Sequence, residues 1–140
     1  PVCIPGDKAV IGSPLGEMTR EEALRADAIR DIGCVACRLR FPNIGTVPCE
    51  IHHLTIGGLH GQKRRGHEFS IGLCRWHHRG ESDQEKKERM RRWLGPSYAR
   101  EPGAFREEFG SDDELLEAQN RLIAAYQAIV TIAPPTKGDQ

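Results

Sequence analysis

Three cysteines and one histidine form two pairs of potential metal ligands. Two residues separate Cys34 from Cys37, and two residues separate Cys74 from His77. This spacing lets a tight turn present both side chains of a pair to one tetrahedral ion, and Cys3His sets of this kind bind zinc. The pattern therefore predicts a structural zinc site, with four ordinary buried side chains as the alternative.

The chain has five cysteines, so Cys3 and Cys49 remain outside that set. An odd number of cysteines argues against a disulfide framework, as does the reducing cytosol expected for this chain. Cys49 and His52 also have two residues between them, which leaves a second metal site as an alternative. We expect Cys3 and Cys49 to be ordinary thiols. For Cys49, the reason is that His52 fits better in the group of histidines described next.

Four further histidines lie close together along the chain: His52, His53, His67 and His78. Imidazoles can hold a divalent cation that neutralises charge on a phosphodiester, while a neutral histidine takes a proton from attacking water. The group therefore predicts nucleic-acid hydrolysis. The alternative is that these histidines only surround a zinc module that binds without catalysis.

The predicted helix lets His77 and His78 serve different sites, whereas the predicted strand separates His52 from His53. Adjacent residues on a helix lie about 100° apart, so His77 can face the zinc while His78 faces another cleft. On a regular strand, His52 and His53 would point to opposite faces. Both can serve one site only where the strand ends or bulges.

The net charge is zero, but the basic residues are concentrated in the middle of the chain. Residues 34–80 hold seven Lys or Arg and two acids, whereas residues 81–117 hold seven basic residues and eleven acids. This segregation suits a protein that meets phosphate with one face, with chance placement as the alternative. The expected DNA-backbone contacts are Lys63, Arg64, Arg65, Arg75 and Arg79.

Short elements must position these side chains. Alternating segments predict strands over 47–54 and 67–73, separated by a flexible basic loop over 55–66. A knuckle or helix start follows over 74–80. A capping-box pattern predicts a helix over about 20–31 before the first cysteine pair. The order strand, loop, strand, helix indicates a small α+β protein.

The flanking regions complete one expected domain over residues 19–131. Capping boxes predict a charged helix over about 82–94 and an amphipathic helix over 114–130 that docks on its own chain. Residues 1–18 are expected to form an extended arm and residues 132–140 a disordered tail. No apolar stretch is long enough to cross a membrane, and no secretory signal is recognisable.

The two tryptophans, Trp76 and Trp93, are expected in the core. Tryptophan contributes a large apolar area to packing, so burial is the default for both. Stacking on nucleic-acid bases is the alternative.

Several motifs together resemble a known family. Cys34 and Cys37, then Ile51–Leu54 (IHHL), then Leu73–His78 (LCRWHH) resemble HNH nucleases with a ββα-metal fold and a structural zinc. More narrowly, the chain resembles the phage recombination-enhancement (Ref) type of RecA-dependent nuclease and its prophage relatives. The motifs that carry this likeness span roughly residues 33–120 and are IHHLTIGG (51–58), RGH (65–67), IGLCRWHHRG (71–80), GPS (95–97) and FGSDDELL (109–116).

The resemblance implies a zinc-stapled ββα-metal core with additional flanking helices, and it implies roles for the histidines. His52 and His78 fall where the pattern holds the catalytic cation, and His53 falls where it has the general base. The asparagine of the pattern is missing, and His67 is the nearest polar candidate, either to orient His53 or to join the metal. Besides structural zinc, the implied cofactor is Mg²⁺ or Mn²⁺, and imidazole in place of the commoner aspartate makes the site softer.

The implied function is metal-dependent endonucleolytic cleavage of DNA in phage or prophage recombination, in the cytoplasm of a bacterial host. The resemblance leaves room for dependence on a RecA-coated strand, and a monomer is the favoured state. One alternative is a zinc-stapled DNA-binding module or recombination adaptor without catalysis. A protein-interaction zinc domain is another.

Overall fold

The structure, a computed structural model, describes residues 17–55 and 66–132. Within these ranges it contains helices around a two-stranded antiparallel sheet, which confirms the predicted α+β class. The elements are α1 (Arg20–Ile32), α2 (Val35–Arg40), β1 (Glu50–His53), β2 (Ser70–Leu73), α3 (Arg75–Arg79), α4 (Lys87–Leu94), α5 (Pro102–Phe109) and α6 (Asp112–Ile132). No helix in the described ranges is long and apolar enough to cross a membrane.

Helix α1 begins and ends where its sequence signals predict. The Thr19 hydroxyl accepts the Glu22 amide at 3.1 Å, and the Glu22 carboxylate accepts the Thr19 amide at 2.8 Å, which completes the capping box. The helix ends at Gly33, whose φ is +91°. A Cβ there would lie 2.6 Å from the Val47 carbonyl oxygen, so only glycine allows this close approach.

The two strands pair in regular register, from Glu50 opposite Leu73 to His53 opposite Ser70. Both strands were predicted, although each is shorter than its predicted range, 47–54 for β1 and 67–73 for β2. The outer edge of β2 is covered by α6, because the Gln119 side chain accepts the Gly72 amide at 2.8 Å. This contact satisfies a backbone donor that would otherwise be buried without a partner.

Two helices were missed and one was misplaced. Helix α2 lies in a segment expected to be irregular, and α5 was not predicted. Helix α4 was expected from residue 82 but begins at Lys87. The Ser82 hydroxyl does accept the Glu85 amide at 3.2 Å, so that capping signal forms an isolated turn ahead of the helix.

The core consists of two adjoining clusters. The larger surrounds the cysteine and histidine pairs and includes Leu54, Ile71 and Phe105, all fully buried. The smaller lies between α1 and α6, where Ile29 packs near Ile123. Helix α6 therefore docks on its own chain, as predicted.

The tryptophan prediction is right for one residue and wrong for the other. Trp76 is buried, and its indole donates to the Gly95 carbonyl at 2.8 Å. Trp93 is 56% exposed at the end of α4. The next residue, Leu94, takes the core-facing position instead and is buried.

The remaining predictions, on the chain ends and on the basic loop, lie outside the described residues. This applies to residues 1–16 of the expected arm, to residues 56–65 of the loop and to residues 133–140 of the expected tail. Cys3 and the loop cations Lys63, Arg64 and Arg65 belong to these segments.

Candidate metal and histidine sites

The structure brings together the two predicted pairs of metal ligands. The ligand atoms of Cys34, Cys37, Cys74 and His77 all lie within 4.8 Å of one another. His77 Nδ1 is 3.4–3.5 Å from the three sulfurs, and the Cys37 and Cys74 sulfurs are 3.8 Å apart. A tetrahedral zinc ion would place its ligands about 3.8 Å apart for two sulfurs and about 3.5–3.6 Å apart for sulfur and nitrogen. The four residues are therefore placed to bind a metal of this kind.

Both pairs are built by the same local structure. Cys34 is the N-cap of α2 and Cys74 is the N-cap of α3. The Cys37 amide donates to the Cys34 sulfur at 3.4 Å, and the His77 amide donates to the Cys74 sulfur at 3.5 Å. Each first cysteine thus takes the role that serine or aspartate has in ordinary caps, and the second ligand follows one turn later.

The side chain of His77 is oriented by the last residue of α4. Its Nε2 donates to the Leu94 carbonyl oxygen at 2.8 Å, so Nδ1 is the ring nitrogen that faces the three sulfurs. Hydrogen bonds from Cys34 and Cys37 hold the pKa of the Cys74 thiol well below its usual range. A thiolate and a correctly oriented imidazole are the forms that a metal ligand requires.

The cluster lies inside the larger core. Cys34, Cys37 and His77 are at most 1% exposed, and Cys74 is 7% exposed. The ring of Phe109 contacts the imidazole of His77 edge-on at 5.1 Å. A metal held here would therefore be closed off from solvent, as structural sites are.

Cys49 is not one of the four clustered ligand residues, and it keeps its proton. Burial raises its pKa to about 11, and its sulfur donates to the Ile29 carbonyl oxygen at 3.5 Å. Its spacing partner His52 lies against other rings. The Cys/His cluster is the sole group of three or more potential ligands within residues 17–55 and 66–132.

His52 and His78 form the first of two histidine pairs. His52 Nδ1 and His78 Nε2 are 3.2 Å apart, across β1 and α3. The other nitrogen of His78, Nδ1, lies 2.7 Å from the Glu50 carboxylate, which also accepts Arg79 Nε at 2.9 Å. Burial alone would raise the pKa of Glu50, but the hydrogen bond from His78 and the charge of Arg79 outweigh it and lower the pKa. An ionised carboxylate thus holds the far side of His78.

His53 and His67 form the second pair. His53 Nε2 and His67 Nδ1 are 3.1 Å apart, and one ring donates to the other. The backbone of His67 is fixed in turn, because the Ser70 hydroxyl donates to its carbonyl oxygen at 2.8 Å. Arg25 of α1 donates to the Ser70 carbonyl oxygen at 2.7 Å. The turn that carries His67 is therefore tied to both α1 and the sheet.

The two adjacent histidines of β1 have different neighbours, as a regular strand requires. The register runs one to one through His52 and His53, without a bulge. His52 contacts the rings of His78 and Tyr98, whereas His53 contacts the ring of His67. The bulge that could have turned both to one side does not occur, but His53 is the last residue of the strand.

The predicted DNA-contacting arginines of α3 are engaged by carboxylates. Arg75 pairs with Glu81 at 3.2 Å and with Asp83, while Arg79 pairs with Glu50. Both side chains remain about half exposed. Their positive charge is therefore partly compensated in the free protein.

Sequence reasoning missed two residues at this site, Glu50 and Tyr98. Glu50 precedes His52 by two positions in β1, so strand periodicity alone places it on the same face. Tyr98 lies far along the chain, and its ring stands 4.8 Å from that of His52. Its amide also donates to the His77 carbonyl oxygen at 2.8 Å, which links the segment after α4 to α3. Nothing in the local sequence around Tyr98 signals this contact.

Comparison with known proteins adds a family assignment. A family model described as recombination enhancement, RecA-dependent nuclease matches residues 18–124. The matched range includes the Cys/His cluster and both histidine pairs. None of the curated proteins compared with the chain matches it.

Proposed function

Because the chain belongs to the recombination-enhancement, RecA-dependent nuclease family, we propose that it is a metal-dependent DNA endonuclease of the HNH type. The family makes it a nuclease that acts on DNA in recombination, and the finer assignment depends on its histidines. The observation that carries this assignment is the pairing of His52 with His78 at 3.2 Å, with His53 as the next residue of β1.

The Cys/His cluster is proposed to hold structural zinc. Its interatomic distances fit a tetrahedral ion, its ligands are buried, and His77 is oriented through Leu94. The ion would join the start of α2 to the start of α3. Because β1 and β2 pair between these helices in the chain, zinc would also fix the sheet relative to His78.

His52 and His78 are proposed to hold the catalytic cation, Mg²⁺ or Mn²⁺. Two ligand nitrogens on one ion stand about 3.0–3.4 Å apart at octahedral or tetrahedral angles, and the observed separation is 3.2 Å. When bound, a divalent cation would neutralise the charge that develops on the phosphodiester and its leaving oxygen. Two protein ligands leave positions open for substrate, as a catalytic site requires. Glu50 would keep the Nδ1 proton on His78 and so aim Nε2 at the ion.

His53 is proposed to be the general base. It would take a proton from the attacking water, and His67 would set its orientation through the 3.1 Å contact between the two rings. His52 and His53 point to opposite faces, but His53 ends the strand. A phosphodiester lying across the end of β1 is therefore accessible to side chains from both faces. The expected backbone contacts are Arg75 and Arg79, together with the loop cations 63–65.

The test is cleavage of supercoiled plasmid and of a displacement-loop substrate by the wild type and by His53→Ala. Each protein is assayed with Mg²⁺ or Mn²⁺, with and without RecA filament, after both are shown to contain equal zinc. We expect the wild type to cleave and the cleavage rate of His53→Ala to be at least about 100-fold lower. This factor is the lower bound for removing a general base. Unchanged DNA affinity and an unchanged circular-dichroism spectrum would show that folding is preserved.

Two outcomes would count against the proposal. Equal cleavage by His53→Ala would remove His53 from the base role. If the wild type cleaves neither substrate under any of these conditions but still binds DNA, a zinc-stapled DNA-binding module would be favoured. A requirement for filament would establish the RecA dependence that the family name describes.

A further inference from the structure

An open apolar cleft lies away from the histidine pairs, between the end of α2 and the end of α4. Its volume is about 410 Å³, and its lining residues are Arg40, Phe41, Pro42, Asn43, Ile44 and Trp93. We call it the Trp93 cleft. Its volume falls in the lower part of the range for small-ligand pockets, about 300–1,000 Å³.

The walls of the Trp93 cleft are joined by contacts of the Arg40 side chain. Arg40 Nε donates to the Trp93 carbonyl oxygen at 3.0 Å, and the Arg40 guanidinium pairs with Glu108. The ring of Phe41 packs against the larger core. The cleft is therefore a feature of the folded chain, formed where α2 and α4 meet.

Trp93 itself is the unusual element of this cleft. It is 56% exposed and Ile44 is 37% exposed, whereas Trp76 is buried with its indole hydrogen-bonded. An indole left this exposed adds little to core packing, and exposed aromatic side chains are typical of binding surfaces.

The helix that carries Trp93 is rich in basic residues. Residues 86–94 contain five Lys or Arg and one acid. Arg89 and Arg91 form ion pairs with Glu85 and Glu101. Within the described part of the chain, no ion pair engages the other three cations of this segment, Lys86, Lys87 and Arg92. Lys86 and Arg89 lie seven and four positions before Trp93, on the same stripe of the helix.

The apolar cleft and the cations without ion pairs together indicate which kind of ligand would bind. An apolar slot with an indole wall accepts a flat ring, and cations without ion pairs on the same helix segment can accept phosphate. A single-stranded nucleotide offers both, because its unstacked base has a free π-face and its backbone carries charge. In a duplex the base faces are already stacked, and an uncharged apolar peptide would leave the cations without partners.

We propose that the Trp93 cleft is a binding subsite for single-stranded DNA, in which Trp93 stacks on an unpaired base while Arg92 and Lys86 contact the backbone. The subsite rests on the proposed nuclease function and deepens it, since it favours substrates that contain an unpaired strand. Its lining residues are separate from those of the two histidine pairs.

The test measures the affinity of the full chain for a labelled oligothymidine by fluorescence anisotropy, without added divalent cation so that no strand is cut. The variants are Trp93→Ala, Trp93→Phe and Arg92→Gln. Leu24→Ala removes a similarly exposed apolar side chain of α1, 52% exposed, and is the matched control.

We expect Trp93→Ala to weaken binding by between about fivefold and about 150-fold, the effect of losing one stacked base. Trp93→Phe should stay within about threefold of the wild type, since it keeps an aromatic face. The loss in Trp93→Ala should persist at high salt, whereas the loss in Arg92→Gln should shrink, because only the phosphate contact is screened. Leu24→Ala should bind like the wild type.

The outcomes separate this inference from the nuclease proposal. Wild-type affinity in Trp93→Ala would overturn the subsite even if plasmid cleavage is intact. Trp93-dependent oligonucleotide binding without cleavage would support the subsite and refute the nuclease. If Trp93→Ala loses only filament-dependent cleavage and keeps its affinity for free oligonucleotide, the cleft contacts protein and the subsite is refuted.

Discussion

Loss of one ligand of the Cys/His cluster should abolish the native structure of the chain. The sharpest comparison is Cys37→Ala with Cys49→Ala, because both remove a thiol from the same region of the core, although Cys37 is buried and Cys49 only partly so. Cys37 lies 3.5 Å from His77 Nδ1 and 3.8 Å from the Cys74 sulfur. Cys49 packs against the core and donates a 3.5 Å hydrogen bond to the Ile29 carbonyl oxygen.

The magnitudes follow from these contacts. A structural zinc site contributes about 10–16 kcal/mol of binding free energy at neutral pH. The whole free energy of unfolding of a domain is about 5–15 kcal/mol. Cys37→Ala should therefore leave the chain without a cooperative unfolding transition. Cys49→Ala loses one weak hydrogen bond and a small side chain, which should lower the free energy of unfolding by about 1 kcal/mol.

The assay is zinc content by native mass spectrometry, followed by urea unfolding monitored by circular dichroism. The wild type and Cys49→Ala should each contain one zinc per chain and unfold cooperatively. Chelation of the wild-type zinc should reproduce the Cys37→Ala result, and zinc added back should restore folding. A Cys37→Ala protein with full zinc occupancy, or a zinc-free wild type with an unchanged urea midpoint, would refute the reasoning.

Two further predictions concern Glu50 and Gly72. Glu50→Gln keeps the size of the side chain but removes the charge that holds His78 Nδ1, so the Mn²⁺ concentration needed for half-maximal cleavage should rise about 10–100-fold. Zinc content should not change, and an unchanged Mn²⁺ dependence would contradict the proposed role of Glu50. Gly72→Ala would place a Cβ 2.7 Å from Ile29 Cγ2 and should lower the free energy of unfolding by about 1–3 kcal/mol. Gly103→Ala in α5, where no atom lies within 4 Å, is its control and should be neutral or slightly stabilising in the same urea titration. Equal effects of the two glycine substitutions would argue against close packing of α1 on β2.

Much of the core around the Cys/His cluster could be predicted because its signals are local. Each ligand pair is set by one N-cap and one helical turn, so the separation of two residues already places both side chains together. The capping box of α1 and the glycine that ends it are equally local, and both act as predicted. The two strands were recognisable for the same reason, from alternating residues within each segment.

Elements that depend on distant partners were less predictable. Helix α2 has six residues and α5 has eight, too few for a clear apolar period, and both form by packing on the core. Helix α4 starts five residues later than its capping signal, because Ser82 caps only a turn. Trp93 shows the same limit, since its exposure depends on which side of α4 faces the core.

The sequence by itself determined the ligand types, their pairing into two knuckles and the family to which the motifs belong. Only the tertiary structure decided which histidines meet. It brought His52 of β1 into contact with His78 of α3 and paired His53 with His67. It also placed the Glu50 carboxylate against Nδ1 of His78. These contacts connect residues 14 to 28 positions apart in the chain. Their distances are fixed by how strands and helices pack, a property that residue spacing does not encode.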